Sequence, residues 1–397
     1  MENQMPLTGI KVLDFTRAFV GPSCTQVLGD MGADVDKVES IGYGDFSRHS
    51  EVFEETNGEG AAFLSLNRNK RSICIDLGRP EGKEIVLKLV DKCDVVVQNF
   101  RPDVMTRLGL DYEVLNQRNP SIIYASGSGY GLTGPYNKKG GQDLVAQAIS
   151  GITWLSGEPG GPPVPGGAPV GDLIAGMLLV QGVLAALLHR ERTGEGQEVS
   201  ASILDGLLTP HTERATAYLA TGRQPPKAKR PLYNFYPTKD DKLVEISGRF
   251  GGNALPDVCE VLGLPDLSQD ERFNTNDKMN YENGAELEAI LSERFLTKTR
   301  DEWIKALDEK DVLCGPVYAY NEVFTDPQVL HNEMLLEFDH PRAGKVRTVG
   351  MPVKFTKTPS EVRLPPPMLG QHTDDILRGL GYSDQDIESL RDSEVVG

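Results

Sequence analysis

The sequence predicts an α/β fold built on a parallel sheet with helices on both faces, and two observations in its first third carry this prediction. The first is a series of short apolar segments with the character of strands, at residues 10–15, 34–39, 95–97 and 122–125. The second is the helical spacing between them, as in 80–92, where Ile85 and Leu89 lie four residues apart. Strands that alternate with helices form βαβ units and hence a parallel sheet, in which ligands bind at the carboxyl ends of the strands.

The helices and the later segments follow in order along the chain. Pro22 begins a helix that we expect to end near Gly32, before the second strand. Residues 173–188 are predicted to form a buried core helix, because this apolar stretch contains glycine and glutamine and is shorter than the ~20 residues that a bilayer requires. Residues 222–237 are rich in proline and cations, which indicates an exposed linker. The linker is followed by a strand–turn–strand pattern, with its turn at 239–241 and its second strand at 243–246, and then by two helices.

Composition and charge exclude several classes of protein. Lys and Arg number 41 against 58 Asp and Glu, a net charge of −17 that repels a polyanion such as DNA but leaves room for one small anionic ligand in a basic pocket. The 5 cysteines are odd in number and widely spread, which argues against disulfides and a zinc site and suits the reducing cytoplasm. The 6 histidines show no metal-binding spacing. The amino-terminal residues show no signal-peptide pattern, and no P-loop, nucleophile elbow or zinc-protease motif is present.

The glycine-rich segment 166–172 leads directly into the apolar helix and ends at Asp172. A carboxylate at this point is typical of a helix N-cap, where it accepts backbone N–H bonds and complements the helix dipole. It is also placed to act as a nucleophile, since the same donors would hold it ionised and the glycines would let a substrate approach. The two interpretations are compatible, and the spacing alone favours the cap.

Other segments offer candidate binding residues. Cations occur at 67–71, and at 99–102 directly after a predicted strand, where they suit the phosphates of an anionic ligand. A solvated basic surface explains these cations equally well. The glycine-rich segments 127–131 and 248–252 also follow strands, and the second has the composition of a lid. An ordinary loop explains the first segment at least as well as a binding role, and an ordinary turn explains the second better than a lid does.

Segments throughout the chain share one family pattern: LTGIKVLDF at 7–15, GP at 21–22, NRNKR at 67–71, NFRP at 99–102, GD at 171–172, RTGEGQEV at 192–199, LD at 204–205, CGPV at 314–317, PVKF at 352–355 and LGQHT at 369–373. Together they resemble the class III CoA-transferases, the CaiB/BaiF family. The resemblance implies a Rossmann-like large domain from residues 1–222 and 326–397, with a linker and a smaller α+β domain at 223–325. It also implies an open-ring protomer in an interlocked homodimer.

The resemblance places the family nucleophile on Asp172. Its carboxylate would attack the thioester of a donor acyl-CoA, succinyl-CoA or acetyl-CoA, and form an aspartyl anhydride and then an aspartyl-CoA thioester. CoA would pass from that thioester to a carboxylic acid acceptor. A carboxylate suits this role because its acyl adducts remain activated, provided that water is excluded. Coenzyme A compounds enter as substrates, so neither a tightly bound cofactor nor a metal is expected.

The resemblance also implies a set of residues that contact CoA: Ala18, Asn67, Lys70, Arg71, Asn99, Phe100, Arg101 and Arg107. The glycine loop that covers the site in this family falls on 248–252 and includes Gly251 and Gly252. Phe19 departs from the formyl-CoA transferases, which carry a glutamine there, and this argues against formate–oxalate exchange. Arg249 also departs from the glycine-rich loop pattern, and we hypothesise that it pairs with the distal carboxylate of a dicarboxylic acyl group such as succinyl.

Two other functions fit the same family. An α-methylacyl-CoA racemase needs two proton-transferring groups on either side of the α-carbon, but Gln142 stands where that branch carries the histidine of a His-Asp pair. A glutamine amide is no base near neutral pH, so Gln142 favours the transferase. A protein that binds CoA without catalysis would need no carboxylate beside the thioester, and Asp172 argues against that alternative.

Overall fold

The computed structural model describes residues 4–225, 227 and 229–397, which divide into two compact units. Unit 1 comprises the chain as far as Trp154, with Val164–Thr216 and Glu333–Gly397, and unit 2 comprises Leu155–Pro163 and Ala217–Asn332. The unit boundaries therefore lie at 216/217 and 332/333, where the sequence placed them at 222/223 and 325/326. The segment Leu155–Pro163, which the sequence assigned to the large domain, belongs to unit 2 because Lys227 Nζ donates to the Ser156 carbonyl (2.9 Å) and Lys229 pairs with Glu158.

Unit 1 is built on a 6-stranded sheet whose strand pairs are all parallel. Its strands are β1 (Lys11–Asp14), β2 (Asp34–Glu39), β3 (Lys70–Cys74), β4 (Val95–Gln98), β5 (Ile123–Ser128) and β6 (Glu198–Ser202). They lie in the order β3-β2-β1-β4-β5-β6, so the topology switches direction between β1 and β4. Every residue of β4 is buried, as expected for a strand covered on both faces. The predicted α/β fold with a parallel sheet is confirmed.

Helices pack on both faces of this sheet. Those in the chain up to residue 221 are α1 (Val20–Asp30), α2 (Ala61–Leu66), α3 (Pro80–Val90), α4 (Val104–Leu108), α5 (Tyr112–Arg118), α6 (Asp143–Ser150), α7 (Ile152–Leu155), α8 (Val170–Thr193), α9 (Ile203–Leu208) and α10 (Thr212–Thr221). On one face, α3 contributes Ile85 and Leu89 to a hydrophobic core. On the other face, α1 and α8 contribute Leu28 and Val183 to a second core. The predicted helices at Pro22 and at 80–92 correspond to α1 and α3.

The apolar helix α8 has 24 residues and extends beyond the predicted 173–188 at both ends. By length and composition it is able to cross a membrane, so the sequence argument from its shortness is wrong. Its packing decides the point, because Leu179 and Val183 are buried in the core that α8 shares with α1 and the sheet. Gly176 allows this close contact, since a Cβ there would lie 2.0 Å from Ser23 Oγ. In this structure α8 is a core helix of unit 1.

Unit 2 has a core of its own around a 3-stranded antiparallel sheet. Its strands are β7 (Asn234–Pro237), β8 (Leu243–Ile246) and β9 (Cys314–Pro316), and its helices are α11 (Leu255–Leu262), α12 (Gly284–Phe295), α13 (Arg300–Asp308), α14 (Tyr320–Val323) and α15 (Pro327–His331). The Phe295 ring stacks on Tyr236 at 4.6 Å and meets Trp303 edge-on at 5.6 Å. The predicted strand–turn–strand pattern is the antiparallel pair β7–β8.

The rest of the chain belongs to unit 1. It forms the antiparallel pair β10 (Leu335–His340) and β11 (Gly344–Val349), followed by α16 (Thr373–Gly379) and α17 (Asp384–Asp392). Val395 and Val396 are buried, and Val396 pairs with Ile75 just beyond β3. The segment after α17 therefore lies beside the carboxyl end of β3, close to the edge of the sheet where ligands bind.

Candidate active site

A cavity of about 510 Å³ opens at the carboxyl ends of β1, β4 and β5. Residues 17–20, 99–101 and 127–129 follow or end those strands and form part of its wall, and Asp172 lies in it. The rest of the wall is formed by Phe46, Gly141, Gln142, Asp143, Pro169 and Ile203. The predicted nucleophile, Phe19 and Gln142 are therefore brought together at the edge where such sheets bind ligands. We call this space the acyl cavity.

Asp172 is the third residue of α8, and Pro169 occupies the N-cap position. The predicted capping role is wrong, because α8 begins without a side-chain cap hydrogen bond. The expectation that helix-end donors keep Asp172 ionised is also wrong. Burial, with a smaller contribution from the negative charge of Asp143, raises the pKa of Asp172 to about 7. The side chain is thus a carboxylate of unusually high basicity that is partly ionised near neutral pH.

Asp143 is a site residue that the sequence analysis missed. It is the first residue of α6 and is 8% exposed. Its Oδ1 accepts the backbone N–H of Asp172 (3.0 Å), and its Oδ2 accepts a hydrogen bond from the Gln147 amide. Gln147 Oε1 in turn accepts the N–H of Gly166 (3.0 Å), in the segment that leads to α8. A signal was present, since Asp143 directly follows Gln142 in the sequence.

Glycines let these segments approach each other closely. A Cβ on Gly171 would lie 2.8 Å from Asp143 Oδ1, so any larger residue would push α6 away from the start of α8. A Cβ on Gly129 would lie 2.5 Å from the Cα of Gly141, and the reverse holds at the same distance. The glycines after β5 and before α6 therefore serve close packing of the cavity wall.

A second cavity, of about 900 Å³, lies at the carboxyl ends of β1, β2, β3 and β4. It shares Arg17 and Phe100 with the acyl cavity, and the Arg17 guanidinium carbon lies 5.1 Å from the centre of the Phe100 ring. Apolar residues such as Ile41 and Leu77 line it, and Arg391 of α17 adds a second cation. Its volume and mixed wall are suited to a nucleotide-sized ligand. Of these five residues, the sequence analysis identified only Phe100.

The predicted CoA-binding residues divide into three groups. Four of them line the acyl cavity: Ala18, Asn99, Phe100 and Arg101. Asn67 and Lys70 have no exposed surface: Lys70 Nζ lies 3.2 Å from Asp14 Oδ2 and donates to Asn67 Oδ1 (2.9 Å). In this structure these two side chains belong to the interior and present no atom to a ligand.

Arg71 and Arg107 line neither of the two cavities. Arg71 makes two hydrogen bonds to Asp36 of the neighbouring strand, at 2.8 and 2.9 Å. Arg107 lies on the exposed surface of α4, with its Nε 3.4 Å from Asp103. Both guanidinium groups therefore already contact a carboxylate, and Arg107 is the more accessible of the two.

The predicted covering loop lies in unit 2. Arg249 Nη2 is 3.0 Å from Asp257 Oδ2 and donates to the Lys310 carbonyl (2.7 Å). Gly251 and Gly252 have φ values of +79° and +83°, conformations that favour glycine. The guanidinium of this loop therefore already has a carboxylate partner, and the backbone of the loop requires glycine at two positions.

A buried carboxylate of raised pKa beside a nucleotide-sized cavity has the elements needed for covalent group transfer. Among the residues that the structure describes, no cluster of three or more His, Cys, Asp or Glu side chains is placed to hold a metal ion. The doubly wound sheet, the two adjoining cavities and the Asp172 carboxylate between its helix and Asp143 define the candidate active site of an α/β enzyme. Residues 7–373 match the family model described as CoA-transferase family III. The chain belongs to this family, the class III CoA-transferases, whose members transfer coenzyme A.

Individual relatives show the same similarity along almost the whole chain. The succinyl-CoA:glutarate CoA-transferase of Homo sapiens is 37% identical over 406 residues, which cover 100% of this chain and 91% of the relative. The formyl-CoA:oxalate CoA-transferase of Bradyrhizobium diazoefficiens is 34% identical over 98% of this chain and 96% of the relative. A crystal structure of a CaiB/BaiF family protein from Brucella suis matches with a TM-score of 0.84 and 34% identity, covering 95% of this chain and 100% of the other.

Proposed function

We propose that this enzyme moves CoA from succinyl-CoA or acetyl-CoA to a carboxylic acid through covalent intermediates on Asp172. The observation that carries the proposal is the Asp172 carboxylate, with a pKa of about 7, in a cavity that shares Arg17 and Phe100 with a nucleotide-sized cavity. The acyl thioester occupies the first cavity and the nucleotide of CoA the second. Arg17 lies where the two parts of the ligand meet.

The steps balance without a further reactant. The Asp172 carboxylate attacks the thioester carbonyl, the C–S bond breaks, and an aspartyl anhydride and CoA thiolate result. The thiolate attacks the aspartyl carbonyl and releases the donor acid. The acceptor carboxylate then attacks the carbonyl of the aspartyl-CoA thioester, the C–S bond breaks, and a second anhydride and CoA thiolate result. The thiolate attacks the acceptor's carbonyl in this anhydride, which forms the product acyl-CoA and frees the Asp172 carboxylate. A carboxylate of raised pKa is a stronger nucleophile than an ordinary one, and its anhydride remains activated for the return step.

For the acids themselves, we propose a dicarboxylic acyl group. The human relative is named for succinyl-CoA and glutarate, and Phe19 lines the acyl cavity where formyl-CoA transferases carry a glutamine. We propose that Arg249, whose guanidinium pairs with Asp257 in this structure, exchanges that partner for the distal carboxylate of the acyl group. Arg249→Ala is expected to lower the preference for succinyl-CoA over acetyl-CoA by about 10-fold or more, the value of a charge-assisted hydrogen bond. Arg272→Ala, which removes another unit 2 arginine, serves as the control, and an unchanged preference in Arg249→Ala refutes this role.

We further propose an interlocked homodimer of open-ring protomers in the cytoplasm. Several apolar side chains of unit 1 are exposed on α6 and α8, among them Leu144 (51%), Ile149 (40%) and Met177 (37%). A second copy that covers them would remove this apolar surface from water. The 5 cysteines are all free, which suits a reducing compartment. Light scattering should give twice the chain mass of 43.4 kDa, and a monomer of full activity refutes the dimer.

Trapping the covalent intermediate tests the central proposal. The enzyme is incubated with succinyl-CoA alone and quenched, and the peptide that contains residue 172 is examined by mass spectrometry. An acyl or CoA adduct on Asp172, lost in Asp172→Asn, is the expected result. A racemase would instead exchange the α-proton of a 2-methylacyl-CoA with deuterated solvent, and a protein that only binds CoA would do neither. Either of these last two results overturns the proposed function.

A further inference from the structure

The loop 15–19 joins β1 to α1 and contributes to both cavities. Ala18 in this loop has a φ of +66°, a left-handed conformation that is unfavourable for a residue with a Cβ. Strained residues of this kind persist only where the surrounding structure holds them. Asn99 provides part of this support. Its Oδ1 accepts the N–H of Arg17 and its Nδ2 donates to the carbonyl of Arg17, both at 2.8 Å.

Two side chains outside the cavities provide the other hydrogen bonds that support the loop. Lys37 of β2 donates from Nζ to the carbonyl of Thr16 (2.6 Å). Asp45 Oδ1 accepts the N–H of Ala18 (3.2 Å), the strained residue itself. Lys37 Nζ and Asp45 Oδ2 lie 3.1 Å apart, so the two side chains form one ion pair that is hydrogen-bonded to the loop at Thr16 and at Ala18.

Asp45 also joins a second part of the acyl cavity to the first. The same Oδ1 accepts the N–H of Ser47 (3.0 Å) and thereby begins the short helical turn Phe46–His49. Phe46 lines the acyl cavity, as Ala18 does. One carboxylate oxygen thus fixes the spacing between two wall segments that lie far apart in the sequence.

Stability alone does not explain this ion pair. Lys37 is 0% and Asp45 1% exposed, and a buried ion pair is often no more stable than apolar residues of the same volume. Both groups are charged in the structure. Burial alone would lower the pKa of Lys37, but the carboxylates of Asp14, Asp45 and Glu39 more than offset it and raise this pKa. A charged lysine and a charged aspartate suit an arrangement that must hold backbone groups at fixed positions.

We propose that Lys37 and Asp45 are positioning residues, which hold loop 15–19 and the Phe46 turn in the geometry that presents the thioester to Asp172. The inference rests on the proposed CoA-transferase function and extends it to two residues that touch no ligand. Because Asp45 acts on the acyl cavity, its loss should impair the chemical step more than the binding of the nucleotide part of CoA.

The test compares steady-state kinetics of Asp45→Asn with those of the wild-type enzyme. We expect kcat to fall about 10- to 100-fold, as for reacting groups misplaced by about 1 Å, with KM for succinyl-CoA within about threefold of wild type. Asp30→Asn is the matched control, because Asp30 also forms a buried pair, with Arg68 (2.6 Å), and this pair does not touch the loop. The control should keep kcat within about threefold even if it loses as much stability.

A second comparison uses the strain at Ala18. Glycine adopts a positive φ without strain, so the loop should depend less on Asp45 when residue 18 is glycine. Asp45→Asn is therefore expected to lower kcat by a smaller factor in an Ala18→Gly background than in the wild-type background. Lys37→Met, which removes the charge but keeps the length, should reproduce the loss of kcat and gives a second variant if Asp45→Asn fails to fold.

The outcomes separate this inference from the proposed function. If the wild-type enzyme forms no adduct on Asp172 and transfers no CoA, the proposed function fails. If the wild-type enzyme is active but Asp45→Asn behaves like Asp30→Asn, only the positioning role is overturned. The positioning role is also overturned if Asp45→Asn lowers kcat by the same factor with alanine and with glycine at position 18. A folded Lys37→Met enzyme with normal kcat overturns it too.

Discussion

Replacing Asp143 with asparagine should allow Asp172 to act as a nucleophile at lower pH. Asparagine keeps an Oδ1 that accepts the Asp172 N–H, but it removes the negative charge. That charge is one of the two causes that raise the pKa of Asp172 to about 7, so its removal lowers the pKa. In the proposed mechanism Asp172 attacks in its ionised form, so the acidic limb of the pH profile for adduct formation should move to lower pH.

The size of the change follows from the two causes. The pKa of Asp172 rises from 3.8 to about 7, and burial contributes more to this rise than Asp143 does. Asp143 therefore accounts for less than half of the rise, at most about 1.6 pH units. We expect the limb to move by about 1 pH unit, which corresponds to about 1.4 kcal/mol and to roughly ten times more ionised Asp172 at pH 5.5. Above pH 8 the variant should be no faster, because a less basic carboxylate is a weaker nucleophile.

The assay measures the rate of adduct formation on Asp172 between pH 5 and pH 9 by quenching and mass spectrometry. Asp111→Asn is the control, because Asp111 also accepts a backbone N–H, from Val114 at 3.1 Å, but lies at the start of α5 outside both cavities. A limb that stays in place, or that moves to higher pH in a correctly folded Asp143→Asn enzyme, refutes the electrostatic coupling of the two carboxylates.

Three further predictions follow from the same structure. The raised pKa of Asp172 lowers the native stability above pH 3.8, where this residue ionises in the unfolded chain, and the loss is complete above about pH 7. In urea titrations Asp172→Asn should therefore have a larger free energy of unfolding than the wild type, by up to about 4 kcal/mol at pH 8 and by less at pH 5. An equal gain in free energy of unfolding at the two pH values contradicts this. Gly176→Ala should lower the free energy of unfolding by about 1–3 kcal/mol, because its Cβ would lie 2.0 Å from Ser23 Oγ. Gly182→Ala should be neutral or stabilising, because the nearest atom of Val199 would lie 3.5 Å from the new Cβ. Similar shifts of the melting temperature in the two variants contradict this. Arg17→Ala should raise KM for succinyl-CoA about 10-fold in initial-rate assays and change kcat less, and an unchanged KM removes Arg17 from the CoA site.

Four of the 6 strands were predictable because their pattern is local, but β3 and β6 were not predicted, and the site depends on pairs that are distant in the sequence. The continuous apolar run in β4 identifies a strand that is buried on both faces. Nothing local shows that Lys70, within a run of cations, has Asp14 of another strand as its partner and lies in the interior. Asp143 was missed for the same reason, since only the packing of α6 on α8 brings it to Asp172. The polar residues after 188 similarly concealed the true end of α8.

The proposed nucleophile, Asp172, differs in one respect from Asp14 and Asp45, two buried carboxylates of unit 1. Burial raises the pKa of Asp14 and Asp45, but Lys70 and Lys37 more than compensate and hold both values below the ordinary one. Asp172 has no ion pair among the residues that the structure describes, and its nearest charge, on Asp143, has the same sign. Burial therefore raises the pKa of Asp172, whereas the pKa values of Asp14 and Asp45 are lowered. In the proposed mechanism, the lack of a lysine partner is what leaves the pKa of Asp172 raised, whereas Asp14 and Asp45 each have such a partner.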